Sequence, residues 1–129
     1  MSTVTIPPGV IARVREGAFS ALRDCAEGID QAGRDPGEHE QVRARLRGMW
    51  RLLDAIGWTS PDDHSVVGLQ VDPGEHAQAL LVALDPILAL LEGWLADLPE
   101  FDPRRPAKQA EVQAVREFTA RVRGVGGQR

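Results

Sequence analysis

The string Asp-Pro-Gly-Glu-His occurs twice, at Asp35 to His39 and at Asp72 to His76, each time with a glutamine two residues later, Gln41 and Gln78. Each copy is a helix start spelled out in residues. Asp at the N-cap accepts hydrogen bonds from unpaired backbone N–H groups, Pro suits the first helical position, and Glu three residues after the cap reaches back to it. Asp, Pro and Glu of each copy therefore have a structural task. The histidines and the glutamines that follow have none.

The punctuation divides the chain into segments of distinct period. Ile11, Val14, Ala18, Leu22, Cys25 and Ile29 recur at steps of three and four, which predicts a helix from Val10 to Ile29. After the first capping string, Val42, Leu46, Met49, Leu53 and Ile56 make a heptad-like seam that Gly57 is placed to end. Thr3 to Ile6 and Val67 to Val71 alternate apolar with small or polar residues, which predicts a two-stranded ribbon needing helices beneath it. Between them, Ser60-Pro61-Asp62-Asp63 predicts one short helical turn.

The second capping string opens the most apolar segment. Ala77, Leu81, Leu84, Leu88, Leu91, Leu95 and Leu98 form its seam, while Leu80, Val82, Ile87, Leu90 and Trp94 cover much of the remaining circumference. That is the pattern of a central helix surrounded by neighbours. Pro86 should kink it, or split it with Asp85 as a fresh cap, and Pro99 should end it. Asp102-Pro103 then begins a fourth helix with Ala107, Ala110, Ala114, Val115, Phe118 and Val122 inward, before a fraying tail from Gly124 to Arg129.

The expected fold is mainly α: a four-helix bundle-like single domain over residues 1–123, with a small β ribbon and a central helix kinked at Pro86. Val4-Thr5-Ile6-Pro7-Pro8-Gly9 aligns with Leu69-Gln70-Val71-Asp72-Pro73-Gly74, and a long helix follows each. An internal duplication of a strand and helical hairpin, with halves about 3–57 and 66–123, follows as an expectation.

Length and composition bound the function. A chain of 129 residues with 43% hydrophobic content can bury a core without disulfide or metal support. Its formal net charge of -4 gives no long-range attraction to nucleic acid or anionic lipid, so neither is an expected partner. The lone Cys25 fits a reducing compartment, Met1 to Pro8 has no signal-peptide pattern, and Asp85, Pro86, Glu92 and Asp97 interrupt the apolar segment as a bilayer span. The expected location is the cytoplasm. Lys108 is the only lysine and Asn and Tyr are absent, a bias expected of a G/C-rich bacterial genome.

No residues form a recognisable catalytic or cofactor motif, so no cofactor is expected. Glu38, His39, Glu75 and His76, with His64 as a third imidazole, have metal-ligating atom types but no known metal spacing. Helix N-termini also disfavour a cation, which leaves capping with solvent-facing histidines as the plainer reading. Nucleotide binding meets the Glu38 and Glu75 carboxylates and lacks a phosphate loop. Cys25 lies in an apolar stripe and reads as a small buried hydrophobe rather than a nucleophile. Arg43, Arg47 and Arg51 step by four along the second helix, with Arg45 on another face. The stripe reads as a solvated face with weak pairs from Glu40 to Arg43 and Arg51 to Asp54, or as a contact for an acidic protein. Trp58 is the candidate exposed anchor, Trp50 sits at a seam edge, and Trp94 is expected in the core. These readings lead to a non-enzymatic, self-associating interaction or scaffold module, with a small-ligand or metal-binding protein at His39 and His76 as the alternative.

Overall fold

The computed structural model describes residues 2–31, 36–57, 67–71 and 76–126. In chain order the elements are β1 (Ser2–Ile6), α1 (Pro8–Gln31), α2 (Pro36–Ile56), β2 (Val67–Val71), α3 (His76–Asp97) and α4 (Arg105–Gly126). The order strand, helix, helix thus occurs twice. β1 and β2 pair antiparallel, with Val4 opposite Leu69 at the centre of the ladder. Period-two alternation turns Val4, Ile6, Leu69 and Val71 inward and leaves Thr3, Thr5, Gly68 and Gln70 exposed. The ribbon does not stand alone, because β2 packs on α2 and α3 and β1 on α4.

One hydrophobic cluster joins all six elements: Ile11 and Val14 of α1, Leu52 and Leu53 of α2, Leu80 and Leu84 of α3, and Val115 and Phe118 of α4 meet beneath the ribbon. α3 touches each of the other helices. Gly17 makes its crossing with α1 possible, since a Cβ there would collide with the Ala83 backbone carbonyl. Pro8 starts α1, with Pro7 O accepting from the N–H groups of Val10 and Ile11 at 3.0 Å each.

Several helix ends are set as the residues imply. Gly57 adopts φ 93° and its N–H donates to Leu53 O at 2.8 Å, closing α2 with a left-handed residue that lacks a Cβ. Arg15, only 1% exposed, reaches the same helix end from α1 and donates to Ile56 O at 3.0 Å and Gly57 O at 3.4 Å. Arg105 does the equivalent for α3, donating to Leu98 O at 2.7 Å and Leu95 O at 3.1 Å. Orphan carbonyls at both C-termini thereby gain charged donors. Asp102 accepts from Arg104 N–H at 2.8 Å ahead of α4. Its bonds from the Arg104 side chain and backbone hold the carboxyl at about 2, below the ordinary 3.8.

The structure departs from the sequence reading at several points. Of the two outcomes expected at Pro86, the split does not occur: α3 continues as one helix through it, and Asp85 accepts from Arg123 at 2.6 Å. Of the expected inward line of α3, Ala77, Leu84 and Leu91 are buried, but Leu81, Leu88, Leu95 and Leu98 are half-buried, and Leu80, Ala83 and Ile87 complete the buried side instead. Ala107 and Ala110 are exposed, and Val112 takes their expected place inside. Trp94 lies outside the core at 44% exposure. The caps at Asp35 and Asp72, the turn at Ser60 to Asp63, and the last three tail residues lie outside the described residues.

Candidate functional site

α3 is apolar around most of its circumference, with Gln78, Asp85 and Glu92 along one polar line, and its neighbours cover only part of the apolar remainder. By length and composition it is apolar enough to cross a membrane, yet only 33% of its most apolar stretch is buried in this fold. The covered side faces α1, α2, α4 and β2. The uncovered side carries Pro86, Ala89, Leu90, Gly93, Trp94 and Asp97, spaced so that they share one helical face. Leu90 is 45% exposed, Trp94 44%, and Phe101 in the turn after α3 is 92% exposed. Large apolar side chains clustered at the surface mark interaction sites far better than scattered ones do.

One border of this face carries two ion pairs, while Asp97 and Glu100 add exposed carboxylates near its C-terminal end. Arg123 meets Asp85 at 2.6 Å and Arg116 meets Glu92 at 3.2 Å, both tying α4 to α3. Lys108 Nζ sits 5.2 Å from the Trp94 ring centroid, a cation–π contact, and also reaches Glu111 at 3.3 Å. Glu111 pairs in turn with Arg13 of α1, which also holds Glu16 at 2.7 Å. Partial burial works against the Arg13 charge, but the bonds to Glu111 and Glu16 outweigh it and raise the Arg13 pKa. These contacts hold one side of Trp94 in place.

A second surface lies where α2 meets α3, and the Arg stripe does not act there as a unit. Arg43, Arg47 and Arg51 are all exposed, but the recorded partner of Glu40 is Arg47 at 3.0 Å, two turns away, rather than Arg43. Arg45, expected on another face, joins Arg47 and Arg51 in lining a hollow between α2 and α3. Gln41 and Gln78, the glutamines repeated after the capping strings, both line it too. That repeat was the available signal; the sequence alone could not show that two copies on different helices would meet.

The histidines prove less solvent-facing than expected. His76 Nδ1–H donates to Gln70 O at 2.8 Å, tying the start of α3 to β2. His39 is half-buried, with an enclosed Nε2 that has no hydrogen-bond partner among the described residues. The Glu38 side chain, Glu75, His64 and Trp58 lie outside the described residues. Among the described residues, no three His, Cys, Asp or Glu side chains are grouped to hold a metal ion. Cys25 is buried as its stripe implied, and desolvation pushes its thiol pKa up despite the opposing charge of Arg45.

Leu90 and Phe101 were missed for different reasons. Leu90 belongs to a helix whose apolar residues occupy most of the circumference, so periodicity could not say which face lacked a neighbour. Phe101 stands between Glu100 and Asp102, outside any periodic segment. No protein-family model, curated protein or solved structure matches this chain.

Proposed function

We propose that this protein is a non-enzymatic, self-associating interaction module whose contact surface is the outer face of α3 together with Phe101. The observation that carries the reading is the joint exposure of Leu90, Trp94 and Phe101 on one helix and the turn that follows it. Removing apolar surface from water favours association by about 25 cal/mol per Å². Large aromatic side chains are also the residues most often dominant at interfaces.

A second copy of the chain suits the chemistry of the border. An isologous contact places each patch against itself, so a strongly one-signed rim would repel its own copy. Here the charges along one border are paired, Asp85 with Arg123 and Glu92 with Arg116. Ala89 and Gly93 are small and exposed, which lets two α3 helices approach closely. Sedimentation equilibrium across the micromolar range tests the reading. A mass of two chains that dissociates on dilution is expected; one-chain mass at every concentration would contradict it.

A further inference from the structure

α1, α2 and α3 leave space between them that has two chemically distinct ends. One hollow, of about 480 Å³, opens between α2 and α3 and presents Gln41, Arg45, Arg47, Arg51 and Gln78, Arg51 being engaged in an interaction of its own. Another, of about 320 Å³, lies among all three helices and has Cys25, Val42, Ala83, Pro86 and Ile87 in its lining. Arg45 and Val82 line both hollows, so the two adjoin there. Small side chains leave this room: Ala44, Gly48 and Ala79 in the first, Gly17, Ala21 and Ala83 in the second. Each volume falls within the range of roughly 300–1,000 Å³ typical of small-molecule sites.

The charges at the polar end are not equivalent. Glu40 already meets Arg47 at 3.0 Å. Arg45 has no hydrogen bond or ion pair among the described residues, although it lies close enough to influence the Cys25 thiol. One unmatched guanidinium beside two carboxamides suits a single negative charge. Asp24, exposed at the margin of the second hollow, keeps an anion out of that end and confines it to Arg45.

We propose that this cleft binds a single-chain aliphatic monocarboxylate, with its carboxylate on Arg45, Gln41 and Gln78 and its chain running past Val82 toward Cys25 and Ile87. The cleft adjoins the outer face of α3 at Pro86 but includes none of Leu90, Trp94 or Phe101, and it does not depend on self-association.

Decanoate is the probe, titrated by calorimetry into the full chain below its micelle-forming concentration. Saturable binding of one decanoate per chain is expected, with decanol and acetate each at least about tenfold weaker because one lacks the charge and the other the chain. Arg45→Gln, a substitution at an exposed position, should weaken decanoate at least about tenfold with an unchanged circular dichroism spectrum. Methyl resonances of Val82 and Ala83 should shift with decanoate and stay in place with acetate. Absence of binding, equal affinity in Arg45→Gln, or shifts confined to Leu90 and its neighbours would each overturn the proposal.

Discussion

Two glycines show how much a single Cβ decides in this fold. Gly17 faces the Ala83 backbone at the crossing of α1 and α3, where a methyl group has no flexible neighbour to displace. Gly17→Ala should therefore destabilise the protein by about 3 kcal/mol or more, as overpacking against rigid backbone does. Gly48 is the counter-case, since its Cβ would meet only the Ala79 Cβ at an ordinary 3.9 Å. Gly48→Ala should stabilise by about 0.5–1 kcal/mol through better helix propensity. Urea denaturation of both variants checks the pair. Neither result can be read from the sequence, where both residues are simply glycines inside helices. Asp102 supplies a pH prediction at the same scale. Its folded pKa of about 2 lies below the ordinary 3.8, so its contribution is present above about 3.8 and is lost as pH falls through about 2. A carboxyl NMR titration should give a midpoint near 2, and Arg104→Ala should return it toward 3.8.

At the scale of elements, the sequence marked where helices start and stop more reliably than which way they face. Pro36 and Gly57 mark boundaries because proline and glycine act on the backbone directly, whereas α1 opens at Pro8, two residues ahead of the expected Val10. The ribbon was also legible, since alternation over Thr3 to Ile6 and Val67 to Val71 allows only one buried face. α3 was different. Its leucines support more than one seam, and the choice among them rests on where α1, α2 and α4 sit. Leu80 and Leu81 isolate that choice, because the heptad-like seam turns Leu81 inward and the structure buries Leu80. Leu80→Ala should cost about 3 kcal/mol, within the range for a fully buried leucine, and Leu81→Ala about 1 kcal/mol. Equal costs, measured by chemical denaturation, would place the helix in a different rotation. Arg15 was invisible at this scale for a related reason: an arginine among apolar residues reads as surface until a helix end arrives to accept its hydrogens.

Across the whole molecule, the repeated strand, helix, helix order invites a duplication, and two local features support it. The ladder is centred on Val4 opposite Leu69, the same two residues that align between the halves. A close α1 to α3 contact joins Gly17 to Ala83, which occupy matching places within one residue of that alignment. We infer that residues 3–57 and 66–123 are copies of one unit. If so, α4 should be able to lead into β1 as α2 leads into β2, and α4 already packs against β1. A circular permutant opened between Gly57 and Val67, with its original ends joined by a flexible linker, should melt cooperatively with native helix content. A non-cooperative permutant would contradict that equivalence.

The outer face of α3 is the central functional claim at this scale, and its residues divide cleanly from the core. Leu90 is nearly half exposed, so a charge there can be solvated in the free chain and would be desolvated only in an assembly. Trp50, 50% exposed on α2, provides the comparison of an equally accessible apolar residue elsewhere. The most direct measurement is the dissociation constant by sedimentation equilibrium for the native chain, Leu90→Glu and Trp50→Glu, each with its helix content verified. Self-association through α3 predicts that Leu90→Glu weakens the dimer by about 2 kcal/mol, roughly thirtyfold, while Trp50→Glu leaves it unchanged. An unaltered dimer in Leu90→Glu, or equal loss in both variants, would contradict the assignment.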